Sequence, residues 1–309
     1  MDRRLIAAVL VVSLAACSED PVPPSVPPDG GVDAGTDAGV DGGVDAGTDG
    51  GSSTSSGGAG KLPCDSTGTV TSGSQTYAYC VARVAGVELK IVEPRGGIVP
   101  NPVRLAIYLH GDGARAHTRD EAPRVHAPWA YVNETLYVSA LAPNRCAWWT
   151  RPSLTTCAGT PTETDRDLAG ENASALAEVI DTLRKRWDIV NEPILFGGSA
   201  GGSVFLTASF LPRYGNRFRG IHALGCGGAV SWSGTLEWDG SRPEQRGSTR
   251  LFYVYGDRDP ALAEIRASIA AYQGYSFPLV ETVIAGASGC GFDDLGAVRD
   301  IWGRDLGPL

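Results

Sequence analysis

The segment of this chain best suited to covalent chemistry is Pro193-Ile-Leu-Phe-Gly-Gly-Ser-Ala-Gly-Gly202. An apolar β-rich run precedes the serine and a helical pattern follows it, so G-x-S-x-G here reads as a nucleophile elbow, a sharp strand-to-helix turn. Such a turn needs small residues two positions either side of the serine, here Gly197 and Gly201. It would lift the Ser199 hydroxyl above a sheet to attack an acyl carbon, with the Ala200 amide and a helix N-terminus facing the developing oxyanion. The competing reading is a glycine-rich turn that packs a helix close to a sheet. Two further segments bear on this chemistry. Leu109-His110-Gly111-Asp112-Gly113 closes an earlier apolar run, and Tyr255-Gly256-Asp257-Arg258-Asp259-Pro260 closes a later one. A carboxylate after a late strand is placed to orient a base, and Asp257 and Asp259 both qualify. For either, a salt bridge to Arg258 or a helix cap ahead of Pro260 is the structural alternative. The base itself should come last in the chain. All four histidines, His110, His117, His126 and His222, come before Asp259.

With these motifs in this order, the chain resembles the α/β-hydrolase superfamily. More narrowly, it resembles exported esterases of the polyhydroxybutyrate depolymerase and feruloyl esterase kind, whose elbow commonly reads G-x-S-A-G-G as Gly197 to Gly202 does. The likeness covers residues 75–295 by order of elements, and only the short motifs are specific. It implies that the Asp112 amide, aided by Gly111, donates to the oxyanion alongside Ala200, and that His110 shapes that loop. It places the catalytic acid on Asp259, with Asp257 as runner-up. Aligning Gly286-Ala-Ser-Gly289 with the family's histidine loop puts Gly289 where the base belongs. A substitute from His117 or His126, in the polar segment after the oxyanion loop, would have to come within about 3 Å of the serine oxygen. His222, inside an apolar run, reads as buried and hydrogen-bonded.

Losing the histidine of a comparable triad costs about 10⁶ in turnover and leaves roughly 10³ to 10⁴ over water. The implied function is therefore an ester hydrolase acting through Ser199 on a polyester, feruloyl or acetyl ester, weak or dependent on a histidine from elsewhere. The alternative is a catalytically silent protein that binds a carbohydrate or polyester fragment. No metal-ligand spacing or phosphate loop stands out, so neither reading involves a cofactor or metal. In Ala142-Pro-Asn-Arg-Cys-Ala-Trp-Trp-Thr-Arg-Pro152, Trp148 and Trp149 are candidates for an aromatic substrate wall, with core packing of one of them as the alternative. Trp232 and Trp238 are weaker candidates for the opposite wall.

These side chains need a frame. Apolar runs at 75–82, 87–92, 104–109, 135–142, 194–196, 220–224, 251–255 and 279–285 alternate with helical patterns after an opening hairpin. Leu176, Val179, Ile180, Leu183 and Trp187 share one face of a helix. Val204, Phe205, Leu206, Phe210 and Leu211 mark a second, well buried one. The expected class is α/β, a mostly parallel twisted sheet of about eight strands with helices on both faces.

The ends add a setting. MDRRLIAAVLVVSLAAC, residues 1–17, has a charged start, a short apolar run and a lipobox-like ending, the pattern of a lipoprotein export signal cleaved before a diacylated Cys17. An ordinary secretory signal with an incidental cysteine is the alternative. Residues 18–60, rich in Pro, Asp, Gly and Ser, cannot bury a core and read as a solvated tether, leaving 61–309 as the folded domain. The expected setting is the cell envelope, outer membrane or cell surface, with the lipid anchor as the membrane contact. Residues 1–60 carry −7 of the net −9, leaving −2 on the remaining 249 residues. So neutral a domain, with no basic stripe, argues against nucleic acid as partner, and a monomer is expected. With Cys17 set aside, Cys64, Cys80, Cys146, Cys157, Cys226 and Cys290 make an even set suited to disulfides. Proximity suggests Cys64–Cys80 and Cys146–Cys157, leaving Cys226–Cys290, with free buried thiols as the alternative.

Overall fold

The computed structural model describes residues 61–95, 102–154, 162–238 and 243–305. Cys17, the tether and Cys157 lie outside the described residues. Nine strands form one sheet in the order β1-β2-β3-β5-β4-β6-β7-β8-β9. β1 (Ser66–Ser72), β2 (Gln75–Val84) and β3 (Val87–Val92) make an antiparallel ribbon that joins β5 (Thr135–Leu141). From there β5, β4 (Arg104–Leu109), β6 (Ile194–Ser199), β7 (Gly220–Gly225), β8 (Arg250–Gly256) and β9 (Leu279–Ile284) run parallel.

The sequence reading of about eight strands lacks β1. That strand, STGTVTS, buries only Val70 among polar residues and has no hydrophobic run to announce it; its pairing with the apolar β2 makes it a strand. The central strands β4, β6 and β7 are buried along their whole length, as a parallel strand covered on both faces must be.

Two apolar layers cover the sheet. On one face lie α3 (Glu171–Arg186), the helical segment formed by α4 (Gly201–Phe205), a π-turn at Leu206–Phe210 and α5 (Leu211–Tyr214), and α6 (Leu262–Gly274). Leu176, Phe205, Phe210 and Tyr272 are among their buried contacts. On the other lie α2 (Glu121–Val132) and α7 (Asp294–Asp305), which contribute Ala127, Val298 and Trp302. A single turn, α1 (Arg115–Thr118), precedes α2. The expected apolar face of α3 is buried from Leu176 to Leu183, with Trp187 as its C-cap.

Chain order reverses at β4, which has β5 on one side and β6 on the other. In open α/β sheets the crevice beyond the carboxyl ends of strands at such a point is where ligands bind. The loops after β4, β6, β7, β8 and β9 all leave from that end.

Disulfides join Cys64 to Cys80 and Cys226 to Cys290, and Cys146 is also disulfide-bonded. Cys226–Cys290 ties the end of β7 to the loop after β9 across 64 residues. Closing a loop of that length in the unfolded chain corresponds to about 4 kcal/mol of stability by chain entropy. A Cys226→Ala/Cys290→Ala protein is expected to melt roughly 10 °C lower. An unchanged melting temperature in calorimetry would count against a structural role for this bridge.

Candidate active site

His110 is the hinge of the loop after β4. Its Nδ1–H donates to the Gly111 carbonyl (2.7 Å) and its Nε2 accepts from the Ala142 amide (3.0 Å). Both ring nitrogens are therefore spent on backbone, and burial pushes its pKa down to about 4. The shaping role expected of this side chain is the one the structure displays.

The turn after β6 departs from expectation by one residue. The backbone with elbow dihedrals belongs to Ala200, at φ 47 and ψ −115, a conformation outside the ordinary left-handed region and costly for a residue with a Cβ. The glycine requirements agree. A Cβ on Gly198 would lie 2.8 Å from the Gly202 carbonyl carbon, and one on Gly202 would lie 2.4 Å from the Leu109 carbonyl oxygen. These are backbone clashes two residues either side of Ala200. At Gly197 and Gly201, the pair expected to flank Ser199, a Cβ would meet mainly side chains, Trp302 and Val298 or Asp112 and Trp149. The elbow of this structure is Gly198-Ser-Ala-Gly-Gly202, with alanine where a nucleophile would be attached.

Two consequences follow for the oxyanion hole. The Ala200 amide, expected to point at the oxyanion, donates instead to the Gly225 carbonyl (2.9 Å). The amide after the elbow residue is that of Gly201, the first residue of α4, whose N–H is among those a helix start leaves without an intrahelical partner. Gly111 packs against the same turn: a Cβ there would lie 3.3 Å from the Ala200 Cβ. Asp112 contributes its side chain, whose Oδ1 accepts from Trp149 Nε1 (2.8 Å) and whose pKa is raised by burial.

Ser199 is the last residue of β6 and is 4% exposed. Its hydroxyl accepts from the Tyr108 hydroxyl (2.8 Å) and donates to the Asp294 carboxylate. Burial raises the pKa of Asp294, although the Ser199 bond opposes the shift. Neither Tyr108 nor Asp294 emerged from the sequence. Tyr108 lay in an apolar run, and Asp294 in Asp293-Asp294 just past the suspected histidine loop was the available signal.

Each candidate histidine is committed away from Ser199. His126 donates from Nε2 to the Leu295 carbonyl (3.0 Å) and accepts at Nδ1 from Tyr137 (3.1 Å). Its ring lies against that of Tyr108, 5.0 Å between centroids, so it sits one layer behind the serine. His117 pairs through Nδ1 with Ser139 (3.0 Å), and its Nε2 lies 3.5 Å from Glu88. His222 is buried as expected but not hydrogen-bonded: it stacks on Phe196 at 4.7 Å, and neither nitrogen has a partner among the described residues. Burial brings the pKa of His126 down to about 4 and those of His117 and His222 down to about 3.

The carboxylates after β8 separate clearly. Asp257 is exposed and accepts from the Gly286 amide (2.7 Å). Asp259 is buried; its Oδ1 accepts from the Ala261 amide (2.8 Å), while Oδ2 has no partner among the described residues. Gly289 has φ 52, and a Cβ added there would meet nothing within 4 Å. Its neighbour Cys290 forms the bridge to Cys226.

Two cavities open over the elbow, both lined by Asp112 and Ala200. One, of 300 Å³, reaches Ser199, Asp294 and Cys290. The other, of 310 Å³, runs past Cys226 to Trp149 and Trp232. The disulfide thus stands between them. Trp149 and Trp232 line the cleft, whereas Trp148 is fully buried against Phe205 with Nε1 donating to the Ala140 carbonyl (3.3 Å). Trp148 is core rather than wall because the loop turns one indole inward. Trp238 packs edge-on against Phe277 and bonds the Leu211 carbonyl. A larger cavity of 500 Å³, between the β1–β3 ribbon and Trp187, does not touch the elbow.

No family model matches the chain, and no curated protein does. Solved structures do. A carboxylesterase from Mesorhizobium loti superposes with TM-score 0.52 at 14% identity, over 74% of this chain and 99% of its own. Acyl-protein thioesterase 2 from Zea mays gives 0.51 at 16%, over 71% and 99%. The chain has the α/β-hydrolase fold.

Proposed function

We propose that this chain is a ligand-binding protein on an esterase frame, in which the elbow no longer performs acyl transfer and the cleft beside it holds a carbohydrate or polyester fragment. The observation that carries this reading is the elbow dihedral pair at Ala200: a methyl group occupies the position from which a nucleophile would attack. The histidines' recorded contacts, all made with residues other than Ser199, support it, as does Asp259 Oδ2, without a partner among the described residues.

A second reading is favoured by one contact, the hydrogen bond from Ser199 to Asp294. In that reading the chain is a weak carboxylic-ester hydrolase, with Asp294 taking the Ser199 proton as the hydroxyl attacks. A carboxylate is a poor base for a serine hydroxyl at neutral pH, because its conjugate acid is far stronger than the alcohol. One experiment separates the two. The protein is expected to leave a fluorophosphonate probe and a short p-nitrophenyl ester unreacted beyond the rate of a Ser199→Ala variant. Labelling at Ser199, with turnover lost in Ser199→Ala, would replace the first reading by the second.

For its setting we propose export and anchoring through a diacylated Cys17, on the strength of the signal-like residues 1–17 and the polar tether that follows. Incorporation of radiolabelled palmitate into the wild-type chain, and its loss in Cys17→Ala, is the expected result. Equal labelling of both would reject the anchor.

A further inference from the structure

We infer that the 310 Å³ cleft takes a neutral polyol ring, a carbohydrate, rather than an ester chain; this rests on the ligand-binding reading above and narrows it. The cleft has room for about ten water-sized groups at ~30 Å³ each, the scale of one hexose. Its floor is the elbow turn, and Trp149 and Trp232 line it as half-buried aromatic surface.

The polar groups around it decide the ligand class. Trp149 is held by its bond to Asp112 Oδ1 (2.8 Å). Arg166 is held by Glu163 (3.0 Å), and its guanidinium lies over the Trp232 ring, 5.6 Å from the centroid. Glu264, on α6, completes the rim. The cleft therefore presents three carboxylates, which only accept hydrogen bonds, and one guanidinium, which only donates.

A polyester or acyl chain carries acceptors alone. It would satisfy Arg166 but offer no donor to Asp112 or Glu264, both exposed at the cleft, and would set its ester oxygens against their carboxylates. A simple cation would suit the carboxylates, but Arg166 already occupies the Trp232 face on which a cation would stack. A sugar ring meets every requirement. Its hydroxyls donate to carboxylates and accept from the guanidinium, while its C–H face stacks on an indole. The fixed positions of Trp149 and Arg166 reduce the ordering cost of binding.

The test uses the full chain and isothermal titration with cellohexaose, xylohexaose, mannohexaose, laminarihexaose and chitohexaose, beside a 3-hydroxybutyrate trimer and choline. At least one oligosaccharide is expected to bind with Kd of about 1 mM or tighter, and to bind roughly tenfold more weakly in Trp149→Ala and in Glu264→Ala. Unchanged melting temperatures will show that these variants fold. The hydroxybutyrate trimer and choline are expected not to bind. Binding of either in a Trp149-dependent manner, silence toward all five oligosaccharides, or oligosaccharide binding indifferent to both variants would overturn the inference. Acetate release from acetylated xylohexaose, followed in parallel, keeps the two readings apart. Release that depends on Ser199 would end the non-hydrolytic reading and leave the ligand class standing, whereas binding without release supports both.

Discussion

A protein carrying Ala200→Ser together with Gly289→His is expected to hydrolyse p-nitrophenyl acetate at least ~10²-fold faster than the parent chain, while Gly289→His alone is expected to gain nothing. Ala200 has the elbow backbone and lines both cavities, so a hydroxyl there would project from the strained turn beside the Gly201 amide. At Gly289, φ 52 is a value histidine tolerates better than most side chains, and nothing stands within 4 Å of the added Cβ. Asp259 Oδ2, without a partner among the described residues, is the acceptor that would orient the imidazole. A complete triad is worth about 10⁶ in turnover, so an imperfectly aligned one should still recover a readily measured fraction. If Gly289→His alone becomes active and that activity disappears with Ser199→Ala, the nucleophile is Ser199 and the elbow assignment is wrong.

The second large effect is acid lability. All four histidines are buried and neutral, with folded pKa values of about 3 to 4, against about 6.5 in an unfolded chain. As pH falls below about 6.5, the unfolded chain takes up protons that the folded chain refuses. The stability these groups contribute is complete above that pH and declines until pH reaches their folded values. Asp112 and Asp294, whose pKa values are raised, act in the opposite sense and offset part of the loss. A net fall of several kcal/mol between pH 7.5 and 4.5 is expected in urea denaturation. His222→Leu should flatten this slope without lowering stability at pH 7.5, because the ring it removes is stacked on Phe196 and has no polar partner to leave stranded. A slope unchanged by that substitution would contradict the assignment of His222 as a proton-refusing core residue.

What was legible from the sequence is what periodicity and steric necessity write into it. The parallel core strands are apolar because both their faces are covered, and α3 shows its buried stripe. The glycines of the elbow are required by backbone contact, so a turn at this place could be read. The register within GGSAGG could not: Gly197, Gly198, Gly201 and Gly202 satisfy the spacing rule for either Ser199 or Ala200, and the close approach of Gly202 to the Leu109 carbonyl, a tertiary contact, decides between them. Asp294 escaped for a related reason, since its role depends on where α7 returns to the sheet rather than on any local pattern. Trp148 and Trp149 are chemically identical neighbours, and only the course of their loop sends one to the core and the other to the cleft. β1 was invisible because it borrows its order from β2.

The sheet ends at β9, and that edge bears on how copies of the chain meet. Its outer row of peptide groups has no pairing partner among the described strands, and Val280 and Val283 are 48% and 50% exposed. Such an edge is a template for strand addition. Near its midpoint stands Glu281, whose carboxylate accepts from the Tyr255 hydroxyl (2.8 Å). Two copies pairing antiparallel with Glu281 opposite Glu281 would set the two carboxylates side by side on one face of a newly dried seam, where like charge is repelled most strongly. In that register a single acidic side chain opposes edge-to-edge pairing of two copies.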